Sequence, residues 1–541
     1  MNKKLALILA IVMIVTFGLA GCGGGGSSDN VLNWNVGAEP KTIDPGLNSA
    51  IDGGHVINNT FEGLYRDFDG DGTYEPAIAE SYTVSEDQKV YTFKLRETKW
   101  SDGQPLTAKD FVWAWKRAID PKTASEYGYI FSPIKNATAA NNGEMSVDEV
   151  GVKAIDDLTL EVTLENPCEY FIGLTGFATL MPLREDMVGD DINGAWAINP
   201  ETAICNGPFK LTEYKTGDKM VLSKNENYWQ ADKVKLDAIN GYMIVEESTA
   251  LTKFQAGEID FYDNCPTDEI AKLKASGDLE ILPYIGTYFF ALNLKNSEVM
   301  QDIKVRQALN YAIDRQAICD TVSKAGEQPA TGFTPIGFTD NNGKDFAETS
   351  NAANNNFNIP TTADVEKAKA LLAEAGYPNG EGFPQIEILY NTNEGHKAIA
   401  EAVQAMLKQN LNIDVVINNQ EWAVFQDSRN ELTYKDIARH GWIGDYLDPQ
   451  TMLEIFETGN PQNNTGWSNA AYDAAMQKAK TTIGEEHFKA LYEAQEILMA
   501  DLPIIPVYYY VNKSLVSERV VDDTWYLSAL GKYWFGFCEL K

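Results

Sequence analysis

One cation, one indole and one carboxylate sit close together in the run Ile437-Ala438-Arg439-His440-Gly441-Trp442-Ile443-Gly444-Asp445-Tyr446-Leu447-Asp448-Pro449. An arginine fork suits a carboxylate, and a carboxylate such as Asp445 suits an ammonium. The residues between them are apolar, and Gly441 and Gly444 would let a second backbone approach closely. The set could hold something with a positive end, a backbone-like middle and a negative end, such as a peptide. The same residues also fit a buried edge strand that ends in a helix-capping aspartate, and residue types alone leave both readings open.

Other groupings point to other chemistries. Ser132-Pro133-Ile134-Lys135 is an S-x-x-K and Lys215-Thr216-Gly217 a K-T-G, two elements of penicillin-interacting enzymes. The S-x-N element between them is missing, the K-T-G falls in an apparent hairpin turn, and no G-x-S-x-G occurs, so an enzyme is not expected. His55, His396, His440 and His487 show no ligand spacing, which argues against zinc; no metal or cofactor is expected. The Asp67-to-Gly72 run matches the first half of a calcium loop, but its twelfth position is Ile78 rather than glutamate, and a turn between strands fits better. With 44 Lys plus Arg against 78 Asp plus Glu, the net charge is −34, which excludes nucleic acid as a partner and implies a self-repelling, soluble surface.

The elements that must position these residues read as α/β. A helical pattern over 396–411, a β-rich run at 413–417 and an Asn-Gln-Glu-Trp turn ending at Trp422 precede the charged stretch. Further strands are expected at 32–36, 90–95, 158–164, 259–262, 288–294, 386–390 and 504–511, with a hairpin around Thr216-Gly217-Asp218. Helices are expected at 56–64, 108–119 after the N-cap Thr107, 249–256, 303–318, 363–375, 470–481 and 487–500. The Asn- and Thr-rich segment 341–362 reads as a surface loop. At 541 residues the chain needs two or three domains.

Trp442-Ile443-Gly444-Asp445-Tyr446-Leu447-Asp448-Pro449 resembles the Trp-x-x-Asp-Tyr-x-x-Pro signature of the oligopeptide-binding proteins. These are extracytoplasmic receptors of peptide-importing ABC transporters, within solute-binding protein family 5. Pro76 to Tyr82, Thr98 to Val112, Asn206 to Phe209, Val305 to Arg315 and Pro506 to Asn512 match in the family's order. The resemblance implies a two-lobed periplasmic-binding-protein-like α/β fold with an additional third domain. Domain I would comprise 30–61, 200–286 and 511–541, domain II 62–199 and domain III 287–510, with strands crossing between I and III as the hinge. It further implies that Asp445 pairs with a peptide's α-ammonium and that Arg439, Arg429 and His396 answer its carboxylate, each for a different length. Trp422, Tyr127 and Tyr510 would wall side-chain pockets beside Trp442. Gly441 and Ile443 would offer backbone N–H and C=O groups, and Ser49 and Ile51 would face them from the opposite lobe. Ile443 stands where some relatives have a bridged cysteine, and Thr321 where some have a carboxylate-binding lysine. Implied partners are short peptides and the permease and ATPase subunits of an ABC transporter, with the receptor itself a monomer. Same-fold alternatives are receptors for a dipeptide, murein peptide, nickel chelate, haem or oligosaccharide, or a peptide-sensing signalling receptor.

The first residues read as an export signal: Lys3 and Lys4, then an apolar run from Leu5 to Phe17, then Leu19-Ala20-Gly21-Cys22, which resembles a lipobox. Cleavage after residue 21 would leave 42 bases against the same 78 acids, a charge of −36. Cys22 would carry lipid, residues 22–29 would form a flexible tether, and the protein would be exported and held by that lipid at the outer face of the cell membrane. The export compartment permits disulfides, and Cys168 with Cys205 is the expected pair.

Overall fold

Two long strands, Leu279–Leu292 and Ile504–Val516, run antiparallel at the centre of the protein. Their apolar halves (Tyr288 to Leu292 and Ile504 to Tyr509) are buried, as expected of strands covered on both faces. The computed structural model describes residues 30–67 and 72–541. It places these two strands inside an 11-stranded sheet. On one side the order continues through Ile437–Ile443, Ile386–Asn391 and Val415–Gln420. On the other it continues through Phe261–Tyr262, Val31–Asn35, Ala238–Tyr242, Lys219–Lys224 and Phe209–Lys215. The chain therefore passes twice between the halves of the molecule. Both strands outrun the expected 288–294 and 504–511. The extra stretch, Leu279 to Pro283 against Val511 to Leu515, contains a proline and part-exposed positions, so it is held by ladder pairing rather than by an apolar signal of its own.

A separate four-stranded antiparallel sheet orders Ala79–Val84, Val90–Leu95, Thr159–Thr163 and Val152–Asp156. Ala108–Ile119 packs beside it. Its start is set by the Thr107 N–H donating to the Asp110 carboxylate at 2.7 Å, a reciprocal cap legible in the sequence. The hairpin at 209–224 and the helices Val365–Glu374, Glu394–Leu411, Ala470–Thr481 and Glu485–Asp501 also fall where pattern places them. Among the described residues, no helix is long and apolar enough to cross a membrane.

Several expectations are corrected. The helix expected at 56–64 is Ile51–Thr60. Gly53 and Gly54 argue against a helix there, yet a Cβ on Gly53 would lie 2.1 Å from Asn48 Oδ1, so that glycine answers a packing contact. The helix expected over 303–318 ends at Ala312, because Arg315 turns back to cap carbonyls of neighbouring segments. The expected loop 341–362 holds the helix Phe346–Ala353, capped by Asp345. Trp422 does not end a turn; it opens the helix Trp422–Asn430. Cys168 and Cys205 are not bridged: both are free thiols. Cys205 is turned into the core toward the Phe209 carbonyl (3.3 Å), and burial pushes its thiol up to about 12. Cys168 instead borders a separate cavity beside Tyr170. The calcium-like run reaches into residues 68–71, outside the described residues, as do the export signal, Cys22 and the tether.

Candidate functional site

Strand Ile437–Ile443 is paired along its whole length on one side, with Gly441 opposite Tyr288 and Ile443 opposite Gly286. On the other side its pairing with Ile386–Asn391 stops at Ala438. From Arg439 to Ile443 that edge has no strand neighbour among the described residues. Gly444 N–H donates back to Ile285, so strand alternation turns the N–H and C=O of Gly441 and Ile443 toward the open edge. A backbone in extended form could pair there.

The open edge forms one wall of a cavity of about 240 Å³. Ser49, Ile51, Tyr127, Trp422, Arg429, Arg439, Gly441, Trp442, Ile443, Asp445 and Tyr510 all line it. His396 does not. It lines two neighbouring cavities, one of which it shares with Arg439. Burial, with Arg439 nearby, holds the His396 imidazole well below its usual range and therefore neutral.

Asp445 and the two arginines define the electrostatics. Asp445 is 7% exposed. It accepts from Tyr127 Oη at 3.1 Å and, at 3.5 Å, from Thr451 Oγ1, and its own N–H donates to Thr451. Burial raises its carboxyl, while the Lys532 ammonium pulls it back. Lys532 is lowered by the same burial and donates to the Asp445 carbonyl at 3.4 Å. Arg439 donates to Tyr510 Oη at 3.0 Å and lies over Tyr288. Arg429 is buried, and burial together with the Arg439 charge pushes it down to about 10. Neither arginine has an ion pair among the described residues, and the Nε of each is buried without a partner. Two unpaired guanidiniums under one cavity wall form a receptor for a carboxylate.

Gly441 proves necessary for a different reason from the one its sequence suggests. A Cβ there would meet Tyr510 Oη at 2.3 Å, and one on Gly444 would crowd Leu530 and Phe338. These glycines make room for the chain's own side chains. Trp442 is anchored by its N–H on the Thr451 carbonyl and stacks near Tyr127. Thr451, Lys532, Tyr284, Phe177 and Asp52 are site residues that pattern does not reveal; Lys532 lies 87 residues from Asp445.

Asp52, on the helix Ile51–Thr60, accepts from Trp422 Nε1 at 3.0 Å and so ties two walls of the cleft together. Burial raises its carboxyl to about 6. Stability therefore falls as pH rises from the ordinary carboxylate range, where the unfolded carboxyl ionises, to about 6, and stays reduced above it. Asp52→Asn keeps an acceptor for Trp422 and removes the charge. The melting temperature should rise at pH 7.5, by the equivalent of about 1–2 kcal/mol after allowing for solvent, and the gain should shrink on acidification and vanish only below about pH 4, where the unfolded carboxyl is protonated too. A gain that ignores pH would contradict this account.

The enzyme-like motifs are not assembled. Ser132 lines another cavity, of about 440 Å³, and Lys135 is exposed. Lys215 is exposed at the end of a hairpin strand and pairs with Asp218.

A sheet crossed twice by the chain, with a charged cleft beside the crossing strands, defines a two-lobed binding protein. Residues 73–464 match the bacterial extracellular solute-binding proteins, family 5. The chain is 38% identical to the oligopeptide-binding protein OppA of Bacillus subtilis, over 96% of each chain. Listeria monocytogenes OppA bound to peptide superposes with a TM-score of 0.87 at 32% identity, covering 95% of this chain and 100% of that one. The murein tripeptide-binding protein MppA of Escherichia coli gives 0.86 at 32% identity, over 94% of this chain and 98% of that one. The unliganded open form of MppA gives only 0.63, over 95% and 98%, at 31% identity. The chain belongs to this family of extracellular solute-binding proteins, and its lobes stand closer to the peptide-bound arrangement than to the open one.

Proposed function

We propose that this protein captures short peptides between its two lobes and delivers them to a membrane permease of the ABC type. The observation that carries this reading is the polarity of the open strand edge. Asp445 stands just past one end and Arg439 and Arg429, without ion pairs among the described residues, at the other, with the Gly441 and Ile443 backbone groups between. A peptide's α-ammonium would pair with Asp445, its backbone with Gly441 and Ile443, and its carboxylate with an arginine. Trp422, Tyr127, Tyr510 and Trp442 would wall the side-chain spaces, with Ser49 and Ile51 closing from the opposite lobe. His396, neutral and one cavity further on, would serve only a longer ligand. No bond is made or broken; the chain acts as a receptor, and transport energy comes from a separate ATPase. The names of its relatives, OppA and MppA among them, support a peptide as ligand.

In this reading the mature protein begins at lipid-bearing Cys22. A short tether over residues 22–29 holds the monomer at the outer face of the cell membrane, within reach of its permease. The lobes move as domain I (30–61, 200–286, 511–541), domain II (62–199) and domain III (287–510), hinged on the two crossing strands. Native mass spectrometry of the purified protein tests the ligand class. Co-purifying masses spaced as mixed short peptides are expected. One discrete non-peptide mass would overturn the reading and favour a sugar or metal-chelate receptor.

A further inference from the structure

We propose that Lys532 makes the ammonium end of the cleft selective for peptides whose first residue carries a carboxylate. The proposal rests on the peptide reading above and adds a side-chain preference to it. Among the described residues, the central cavity is lined by three cations, Arg429, Arg439 and Lys532, and by one carboxylate, Asp445. This is a positive cleft inside a chain of net charge −34. A peptide without charged side chains would answer Asp445 with its ammonium and the arginines with its terminal carboxylate. Lys532 would then share the Asp445 carboxylate with the ligand's ammonium.

The position of Lys532 selects which ligand group could serve it. Its Nζ is held 3.4 Å from the Asp445 carbonyl and 5.1 Å from the centre of the Phe177 ring. Among the described residues it makes no ion pair. The Asp445 carboxylate is the strongest charge acting on it, and Asp67 and Arg66 follow with opposite sign. An ammonium drawn out of water without an anion is costly, and a carboxylate brought to it gains a charge-assisted hydrogen bond. The peptide carbon that bears the α-ammonium also bears the first side chain. An ammonium seated at Asp445 therefore puts an Asp or Glu carboxylate within reach of a donor anchored on that residue's own carbonyl. A basic first side chain would meet Lys532 with like charge and be disfavoured.

The test is titration calorimetry with three peptide sets of three to five residues: all-Ala, Glu first, and Glu second. Wild type should bind the Glu-first set about tenfold more tightly than the other two, or better. Lys532→Met should lose that advantage, binding the three sets alike whatever their common affinity, and Lys532→Arg should retain it. Equal affinities of wild type for the three sets would overturn the proposal and leave the peptide reading standing, a result that needs no variant to fold. An advantage that survives in Lys532→Met would overturn it too. If wild type bound none of the peptides, the peptide reading itself would fall.

Discussion

Asp445→Asn should abolish high-affinity peptide binding while leaving the fold intact. The asparagine oxygen keeps an acceptor for Tyr127 Oη, and its amide nitrogen can donate to Thr451 Oγ1, so the local polar contacts survive. What disappears is the one carboxylate that lines the central cavity among the described residues. The ligand's ammonium would then be buried without a counter-charge, beside Lys532. Removing one partner of a buried ion pair costs about 3–5 kcal/mol, equivalent to roughly a hundredfold to a few thousandfold in Kd. Calorimetry with a free peptide and its N-acetylated counterpart isolates the pair. Acetylation should weaken binding to wild type by a similar factor and make little further difference to the variant. A variant that loses both peptides equally, or neither, would show that Asp445 does not pair with the amine.

The same pair sets the expected pH dependence. Burial raises the Asp445 carboxyl in the empty cleft, so acidification protonates it above the usual carboxylate range. The ammonium needs the ionised form. Wild-type affinity should therefore be full where Asp445 is charged and fall as pH drops through its raised pKa, and Asp445→Asn should lack that slope.

Arg315→Met should destabilise the protein without changing its ligand. Arg315 closes the Val305-to-Arg315 motif, which might be taken for part of the binding site. Instead it is fully buried, with Nε donating to the Pro506 carbonyl at 2.7 Å and its terminal nitrogens to the Asn310 carbonyl and side chain at 2.9 and 2.8 Å. It also reaches Pro360. Among the described residues no carboxylate pairs with it, and burial lowers its guanidinium to about 9. Methionine fills much of the volume but strands these acceptors at roughly 1–3 kcal/mol each. Relief from burying a charge offsets part of this, leaving a net loss of about 2–4 kcal/mol. The unfolding free energy from a urea titration should fall by that amount and the midpoint with it, with peptide affinity unchanged at low denaturant. A preserved midpoint with weakened binding would move the motif into the ligand site.

What the chain reveals on inspection follows from local physics. The cap at Thr107 and Asp110, the hairpin at Thr216-Gly217-Asp218 and the paired apolar runs of the central strands depend on neighbours a few residues away. Side-chain hydrogen bonds, turn chemistry and alternation record such neighbours directly. The charged stretch from Arg439 to Asp445 is likewise legible, because its opposite charges share one strand and the turn that follows it. Gly53 and the Phe346–Ala353 helix mark where local preference misleads, since a glycine demanded by a distant contact looks like a helix breaker.

Only the tertiary structure decides what faces that stretch. Tyr127 reaches Asp445 across 318 residues of chain, and Trp422 meets Asp52 across 370. Lys532 arrives from near the C-terminus, and Cys168 and Cys205 settle into separate surroundings as free thiols. These pairings arise from burying large surfaces against one another as the two lobes close. That free energy is collected over the whole interface, and no single segment carries a record of it.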